Sequence, residues 1–409
     1  AGRKIVAAKH TDGVHGDQRK RTSLAGNLAL GALAVLAGVA VCELLLRLIG
    51  VGYPVFVWTD PIVGVAHIPG AAGSRHYEGR PWIEINSDGM RGPEARLEAP
   101  PGTFRIALLG DSFMEAFEVP YPKTVGEVVE RRLAELRGAP VEVLNFGVGG
   151  YGTAQELLTL KHKVWKYSPD LVLVAVTTGN DVSDNYRPLR RANDIPYYVY
   201  DGPDLVLDSS FLATRGYRQR TLWTRRLSWV VQHSRLFQLL NRVRHNWRKR
   251  ERQEANAGGI PGDEVGLRDE VQLPPSTPEW REAWRVTEGI LRLMHEECRK
   301  QGTPFALVTL TRGIQVTPLR EKKQAFLEQI GAENLYYPER RLADLGRREG
   351  FPVLNLAPTM AEQAERQRVY FHQHRDTLGV GHWNEAGHEA AGALIAAWLA
   401  REFPGRATP

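Results

Sequence analysis

A serine stands at the end of the first regular apolar strand that the sequence predicts. The tetrapeptide Gly110-Asp111-Ser112-Phe113 directly follows the apolar run 105–109, so the Ser112 hydroxyl lies on the turn at the carboxyl end of a strand. A nucleophile belongs at this edge, because ligands of parallel sheets bind beyond the carboxyl ends of the strands. The Gly-x-Ser-x-Gly pentapeptide of the α/β-hydrolases is absent, since Met114 and Glu115 follow.

Three further segments with functional side chains or glycines follow in order. Asn145-Phe146-Gly147-Val148-Gly149-Gly150 comes after the second predicted strand, and Thr178-Gly179-Asn180-Asp181 comes after the third. Gly381-His382-Trp383-Asn384 precedes the last predicted helix and supplies a histidine suited to general-base chemistry. Taken singly, Gly150 is typical of a turn, Asn180 of a loop cap, and His388 of a structural histidine at a helix start.

The segments that must position these residues alternate between strands and helices. Apolar strands are predicted at 105–109, 141–144, 171–176, 305–310 and 353–356, and helices at 125–136, 153–166, 278–300, 339–349 and 384–401. This alternation predicts an α/β domain with a parallel sheet covered by helices on both faces. The four motifs then meet at one edge of that sheet.

The four motifs, in this order, resemble those of the SGNH or GDSL-type hydrolase superfamily. The resemblance covers residues 104–402 and implies a three-layer α/β/α sandwich of the flavodoxin-like SGNH type. It implies that Ser112 is the nucleophile and His382 the general base. The Ser112 and Gly150 backbone N–H groups and the Asn180 amide would form the oxyanion hole. The stem motif Asn86-Ser87-Asp88-Gly89-Met90-Arg91-Gly92-Pro93-Glu94 is similar to that of membrane-anchored bacterial members.

The sequence departs from the superfamily at the catalytic acid. Members carry an Asp two or three residues before the histidine, where this chain has Val380 and Gly379. The nearest upstream acid is Asp376, which would need a loop bulge to reach His382; a backbone carbonyl could serve instead. Loss of the acid from a serine triad can cost roughly 10⁴ in turnover. The sequence therefore also allows a catalytically degenerate domain that serves as a structural or accessory subunit of a membrane complex.

The N-terminal region predicts one membrane-spanning helix at 24–52. Residues 24–42 carry no charge, and the apolar character resumes after Glu43. About 20 apolar residues suffice to cross a bilayer, whereas a cleaved signal peptide has a shorter apolar region. Basic residues concentrate in the tail 1–23, which predicts a cytoplasmic N-terminus and a periplasmic main domain on a bacterial inner membrane. Residues 53–103 are predicted to form an extracytoplasmic stem packed on the domain.

A long insertion at about 187–277 interrupts the strand and helix pattern. Its basic segment 215–252 mixes Arg and Lys with Trp223, Trp229, Phe237 and Trp247, and residues 254–275 have the composition of a mobile loop. The basic segment suggests either a helical hairpin with a core-facing aromatic stripe or a surface for anionic lipid or a partner protein. Partner proteins of a membrane complex are expected on the transmembrane helix, the stem and this segment.

Bulk composition excludes several other classes. With 43% hydrophobic residues among 409, the chain can build a large core, and its net charge of +6 is concentrated in two segments instead of one nucleic-acid-binding face. The two cysteines, Cys42 and Cys298, are not expected to pair. His372, His374, His382 and His388 lack acids or cysteines at metal-ligand spacing, so no metal and no cofactor is predicted. An O-acylated carbohydrate or a similar ester is the expected substrate.

Overall fold

The structure is a computed structural model that describes residues 15–75, 78–255, 268–374 and 377–404. Asp376, the tail 1–14 and most of the predicted mobile loop lie outside the described residues. The strands are β1 (Val57–Asp60), β2 (Gly64–His67), β3 (Ala72–Ser74), β4 (Trp82–Glu84), β5 (Phe104–Leu109), β6 (Val141–Asn145), β7 (Leu171–Thr177), β8 (Tyr197–Asp201), β9 (Asp204–Asp208), β10 (Phe305–Leu310), β11 (Val353–Asn355), β12 (His372–His374) and β13 (Thr377–Trp383).

The α-helices follow one another from a long N-terminal helix to the C-terminal helix of the sandwich. They are α1 (His15–Leu48), α2 (Ser112–Glu115), α3 (Val125–Arg137), α4 (Thr153–Thr159), α5 (Asp181–Asp184), α6 (Arg187–Arg190), α7 (Arg215–Arg226), α8 (Ser228–His233), α9 (Arg235–Ala255), α10 (Pro278–Gln301), α11 (Arg320–Ile330), α12 (Tyr337–Glu349), α13 (Ala357–Gln367) and α14 (Glu385–Glu402). Short π and 3₁₀ turns extend α4 to residue 167.

The central sheet has five parallel strands in the order β6-β5-β7-β10-β11. Numbered along the chain this is 2-1-3-4-5, the flavodoxin-like doubly wound order. The direction of winding reverses between β5 and β7, and ligands bind at such a switch point because the loops diverge there. Ser112 follows β5 and Asn180 follows β7, so the topology brings two predicted site residues to this crevice.

Helices cover both faces of the sheet, as the sequence predicted. On one face α4, α10 and α12 pack against Ala107, Leu109 and Val174 among others. On the other face α3, α13 and α14 pack against Ile106, Leu108 and their neighbours. Alternate residues of each strand thus enter opposite cores, and both sets are apolar, which is why these strands have continuous apolar sequences. The predicted α/β/α sandwich is confirmed.

The stem forms small antiparallel pairs that lie on the domain instead of extending away from it. β1 pairs with β2, and β3 pairs with β4, around a separate apolar cluster that includes Phe56, Ile83 and Phe117. Asn86 holds the turn of the stem motif, since its Oδ1 accepts from the N–H groups of Asp88 and Met90 at 3.0 and 2.9 Å. The stem therefore contacts the loop after Ser112.

The N-terminal helix α1 is long and apolar enough to cross a membrane. Its segment Leu24–Leu48 has 25 residues with a mean hydropathy of 2.4, and none of it is buried against the rest of the protein. Length and composition suit either a membrane anchor or a signal sequence.

The insertion departs from one of the two interpretations of its sequence. The described part contains the hairpin β8–β9, which the sequence did not predict, and then the helices α7, α8 and α9. Trp223, Trp229 and Trp247 are 67%, 70% and 67% exposed, so they do not form a core-facing stripe. The expectation of buried tryptophans in this segment is wrong, because α7–α9 lie outside the layers of the sandwich.

Candidate active site

The structure brings Ser112 and His382 into direct contact. Ser112 is the first residue of α2, and its Oγ lies 2.8 Å from Nε2 of His382. Asp111 fixes the turn, because its carboxylate accepts from the Phe113 N–H at 3.0 Å. The Phe113 ring lies against the imidazole, with centroids 5.0 Å apart. The hydroxyl can therefore donate its proton to Nε2.

The other imidazole nitrogen contacts a glutamate of the stem. Nδ1 of His382 lies 2.5 Å from Oε2 of Glu78, and Oε1 of a second glutamate, Glu118, lies 3.7 Å from the same nitrogen. Neither acid was named in the sequence analysis. Asp376 lies outside the described residues, so its predicted role stays a prediction. The Ser112, His382 and Glu78 side chains form the arrangement of a serine triad.

A short hairpin, β12 and β13, carries His382. His372 donates from Nδ1 to the Gly381 carbonyl at 2.7 Å, and its Nε2 lies 2.9 Å from Thr311 Oγ1. Trp383 donates to the same Thr311 hydroxyl at 2.8 Å. These contacts tie the hairpin to the loop after β10 and so fix the histidine above the sheet. His372 is thus structural in this site.

Two glycines allow Glu78 to reach the histidine. Gly381 has a φ of +89°, and a Cβ there would lie 2.4 Å from Glu78 Oε1. Gly79 has a φ of +73°, and a Cβ there would lie 2.1 Å from the Glu118 carbonyl oxygen. A larger residue at either position would be strained and would clash with its neighbours. Gly381 therefore leaves room for the Glu78 carboxylate, and Gly79 lets the stem pass close to the loop after Ser112.

Arg91 of the stem motif braces the loop that follows Ser112. Its guanidinium is buried and donates to the carbonyl oxygens of Glu115, Ala116 and Val119, the first at 3.0 Å and the last at 2.6 Å. Ala116 ends α2 with a φ of +54°, a left-handed conformation that a non-glycine residue adopts only when its surroundings enforce it. Among the described residues the arginine is the donor to the Glu115 and Val119 carbonyls, and it adds a second donor to the Ala116 carbonyl, which also accepts from the Val119 N–H at 3.3 Å.

Glu115 links the stem to the glycine-rich loop. Its Oε1 accepts from the Gly149 N–H at 2.9 Å and lies 2.8 Å from His67 Nε2, while Arg75 lies 3.5 Å from Oε2. Burial acts to raise the pKa of Glu115, but His67, Arg75 and Gly149 more than offset it, so this pKa lies below its ordinary value. The ionised carboxylate therefore orients the segment that contains Gly150.

The predicted oxyanion-hole groups lie on the three loops around Ser112. The Ser112 N–H is in the first turn of a helix, where no intrahelical acceptor exists. Gly150 has a φ of +81°, its carbonyl accepts from Arg190 at 2.5 Å, and its N–H donates to no backbone acceptor among the described residues. Asn180 Nδ2 makes only long contacts of 3.5 Å, to Asp111 and Asp184. These donors can serve a substrate oxygen.

The carboxylates around His382 favour its protonated form. Burial acts to lower the pKa of His382, but Glu118, Glu78 and Asp111 together raise it to about 9. Burial also raises the pKa of Glu118, opposed by the charges of His382 and Arg75. Neither oxygen of Glu118 has a hydrogen-bond partner among the described residues. Glu118 thus acts on the imidazole through charge, and Glu78 through charge and a hydrogen bond.

Glu78, Glu118 and His382 form the one cluster among the described residues that could hold a metal ion. Ligand atoms of Glu78, Glu118 and His382 lie within 4.8 Å of one another. Nδ1 and Glu78 Oε2 are 2.5 Å apart, a direct hydrogen-bonding contact that is shorter than the ~2.7–2.9 Å of a charge-assisted N–H···O bond. Such a contact serves a general base directly. The absence of a metal stays a prediction from the sequence.

The sequence matches the description "GDSL-like Lipase/Acylhydrolase family" over residues 108–390. The chain belongs to this family. No curated protein sequence matches the chain. Among solved structures, a lipase/acylhydrolase from Enterococcus faecalis is similar, with 16% identity, a TM-score of 0.35, and coverage of 74% of this chain and 99% of that one. An acetyl xylan esterase from Geobacillus stearothermophilus has 13% identity and a TM-score of 0.35, and the match covers 75% and 96% of the two chains.

Glu78 and Glu118 are the residues of this GDSL-like site that sequence reasoning missed. Glu78 lies before the segment that matches the family, and Glu118 lies six residues after Ser112. Neither has a motif spacing relative to His382, because the contact is made across 304 residues of chain by stem packing. One local signal existed: glycines stand beside both partners, at Gly79 and Gly381, and close approach of two segments is a common reason for such residues.

Proposed function

We propose that the protein is a membrane-anchored extracytoplasmic serine ester hydrolase or acyltransferase that acts on an O-acyl ester. The observation that supports it is the hydrogen-bonded series from Ser112 Oγ to His382 at 2.8 Å and from His382 to Glu78 at 2.5 Å. In this proposal Glu78 takes the role for which the sequence offered Asp376 or a backbone carbonyl. A complete series of three groups favours an active enzyme over a degenerate domain.

The reaction would proceed through an acyl-enzyme. Ser112 Oγ attacks the ester carbonyl while Nε2 of His382 takes the hydroxyl proton. The Ser112 and Gly150 N–H groups and the Asn180 amide stabilise the oxyanion, each donor contributing on the order of 3 kcal/mol. The imidazolium then protonates the leaving alcohol, and Glu78 stabilises its charge. Water, or a second alcohol in a transferase, then attacks the acyl-enzyme while His382 takes its proton. The acyl group is released and the proton returns to Ser112 Oγ.

The proposed location is argued from the N-terminal region, and the proposed substrate class follows from that location. The exposed apolar surface of α1 supports an anchor, and the basic residues before residue 24 favour an N-terminus in the cytoplasm of a bacterium and a domain on the periplasmic side of the inner membrane. A domain on that side meets acylated cell-surface glycans. We therefore propose an O-acylated carbohydrate as the substrate class.

Labelling with a fluorophosphonate probe tests the chemistry. The full chain in detergent should be labelled, Ser112→Ala and His382→Ala should abolish labelling, and the exposed-loop control Ser87→Ala should retain it. An unlabelled, folded wild-type protein would contradict the proposal. Acetate release from an acetylated oligosaccharide, measured with and without an acceptor sugar, then separates hydrolysis from transfer.

Partner proteins in a membrane complex are a second proposal, limited to α1 and the stem. The support is the exposed apolar surface of the segment Leu24–Leu48, which another helix could cover. The protein should then co-purify with a larger assembly in mild detergent. A monodisperse monomer under those conditions would contradict it.

A further inference from the structure

A strongly basic helical unit packs beside α1 and presents tryptophans to its surroundings. This unit, the basic helical unit, consists of α7, α8 and α9, residues 215–255. Its sequence holds twelve arginines and lysines against two glutamates. Leu240, Val243 and Trp247 are exposed and lie at positions i, i+3 and i+7 of α9, on a single face of that helix. The unit is therefore amphipathic, and its apolar side is unburied.

Glu43 of α1 fixes the start of α9. Its carboxylate accepts from Ser234 Oγ at 3.1 Å and from the N–H groups of Arg235 and Leu236 at 2.9 and 3.0 Å. A carboxylate at a helix N-terminus is stabilised by the unpaired N–H groups and the helix dipole. An acid in an apolar segment is costly without such partners. Glu43, which interrupts the apolar run, is thus explained by its contact with the basic helical unit.

Further contacts place the unit at the outer end of α1. Arg47 donates to the His233 carbonyl, and the Tyr53 N–H donates to Gln238 Oε1 at 3.0 Å. The Arg242 guanidinium lies 5.7 Å from the centre of the Tyr53 ring. If α1 spans the membrane, these contacts hold α9 at the level where the chain leaves the hydrocarbon. Trp229, whose ring stacks on His233 with centroids 4.9 Å apart, then lies near the height of an interfacial aromatic belt.

We infer that the basic helical unit lies on the outer surface of the anchoring membrane and binds anionic phospholipid headgroups. The helix α9 packs beside α1, and both present exposed apolar side chains. Arginines accompany the apolar residues in the sequence of α9, which is the composition of a helix lying in the bilayer interface. The positive charge complements acidic headgroups. A partner protein would need to cover both the unit and α1, whereas a single bilayer covers both without further components.

The unit also connects the membrane to the catalytic domain. Thr224 of α7 lies 3.2 Å from Thr59 of the stem, hydroxyl to hydroxyl, and Arg220 forms an ion pair with Asp194 at 2.5 Å. Binding of the unit to the membrane would therefore fix the height and tilt of the domain, and with it the distance from Ser112 to the membrane surface. This inference rests on the proposed anchor and is independent of the proposed chemistry.

Tryptophan quenching by brominated lipids tests the inference. The full chain is reconstituted at low density in vesicles of phosphatidylcholine and phosphatidylglycerol that contain dibrominated phosphatidylcholine. A triple variant replaces Trp223, Trp229 and Trp247 by serine, and the control Trp82→Ser removes a stem tryptophan that is 59% exposed. We expect strong quenching of wild type and control, and loss of most of that quenching in the triple variant. Replacement of phosphatidylglycerol by phosphatidylcholine should weaken the quenching.

Each other outcome contradicts the inference in a recognisable way. Equal quenching of wild type and triple variant would show that the unit is away from lipid. If the three tryptophans became better shielded from an aqueous quencher as the protein density in the vesicles rose, a second copy of the chain would be what covers the basic helical unit. The triple variant should stay in the vesicles through α1, so a wild-type protein that carbonate extracts would refute the anchor itself. Fluorophosphonate labelling of the same samples reports separately on the active site.

Discussion

The charge of Glu118 should set the pH at which the enzyme becomes active. As a general base His382 must be neutral, and its pKa of about 9 leaves about 1% of it neutral at pH 7. The wild-type kcat/KM should therefore rise about tenfold per pH unit up to about pH 9 and level off above it. Glu118→Gln removes a negative charge 3.7 Å from Nδ1 with little change of shape.

The size of the shift follows from distance and burial. Unit charges about 4 Å apart interact by about 4 kcal/mol at an effective dielectric constant of about 20. The net shift of the His382 pKa from 6.5 to about 9 corresponds to about 3 kcal/mol, to which Glu78 also contributes. Loss of one nearby carboxylate typically changes a pKa by about 1 to 3 units. The acid limb of Glu118→Gln should move to lower pH by about that amount.

The assay compares the rates of each protein at two pH values. A lower pKa also makes His382 a weaker base, and the ratio of the two rates separates the shift of the pKa from this loss of base strength. Hydrolysis of 4-nitrophenyl acetate is measured at pH 6.5 and 9.5, with Ser112→Ala as the blank. The ratio of the lower-pH rate to the higher-pH rate should rise by about tenfold or more in Glu118→Gln. Glu98→Gln, which removes an equal charge at an exposed position, should keep the wild-type ratio. An unchanged acid limb in Glu118→Gln would refute the reasoning.

Three further predictions concern the stem and the metal. Glu78→Ala should lower kcat by about 10³ to 10⁴, while Asp376→Ala should remain near wild type, and the opposite result would assign the acid role to Asp376. Arg91→Ala should lower the free energy of unfolding by several times the ~1–3 kcal/mol cost of one unpaired buried polar group. A thermal melt should show this, and the exposed-site control Arg96→Ala should melt like wild type. Treatment with EDTA should leave ester hydrolysis unchanged, and a loss restored by a divalent ion would point to a metal between the two glutamates and His382.

Periodicity predicted the sandwich because its strands are buried on both faces and its helices on one. The strands after which Ser112 and Asn180 stand were predicted within two residues, and the family motifs predicted the contact of Ser112 with His382. Helices α11 and α13 were missed: α11 has no buried residue, and three of the four buried residues of α13 are alanines, so neither has a strongly apolar repeat.

The acid partner of His382 could not be predicted for a different reason. Its position depends on how the stem folds back over the nucleophile loop, through Arg91 and the cluster around Phe117. Such packing across distant segments leaves no periodic pattern. The burial of the tryptophans in the insertion could not be predicted either. An amphipathic sequence specifies an apolar face, but it does not specify what covers that face.

The position of Glu78 makes the stem part of the catalytic unit. The family match begins at residue 108, so a fragment cut at that boundary would keep the nucleophile and the base and lose the acid. If Glu78 is the catalytic acid, as proposed, domain boundaries drawn from the family match would separate it from Ser112 and His382. Exchange of the sandwich alone would likewise separate Ser112 and His382 from Glu78, and a stem peptide supplied in trans offers a means of restoring the contact.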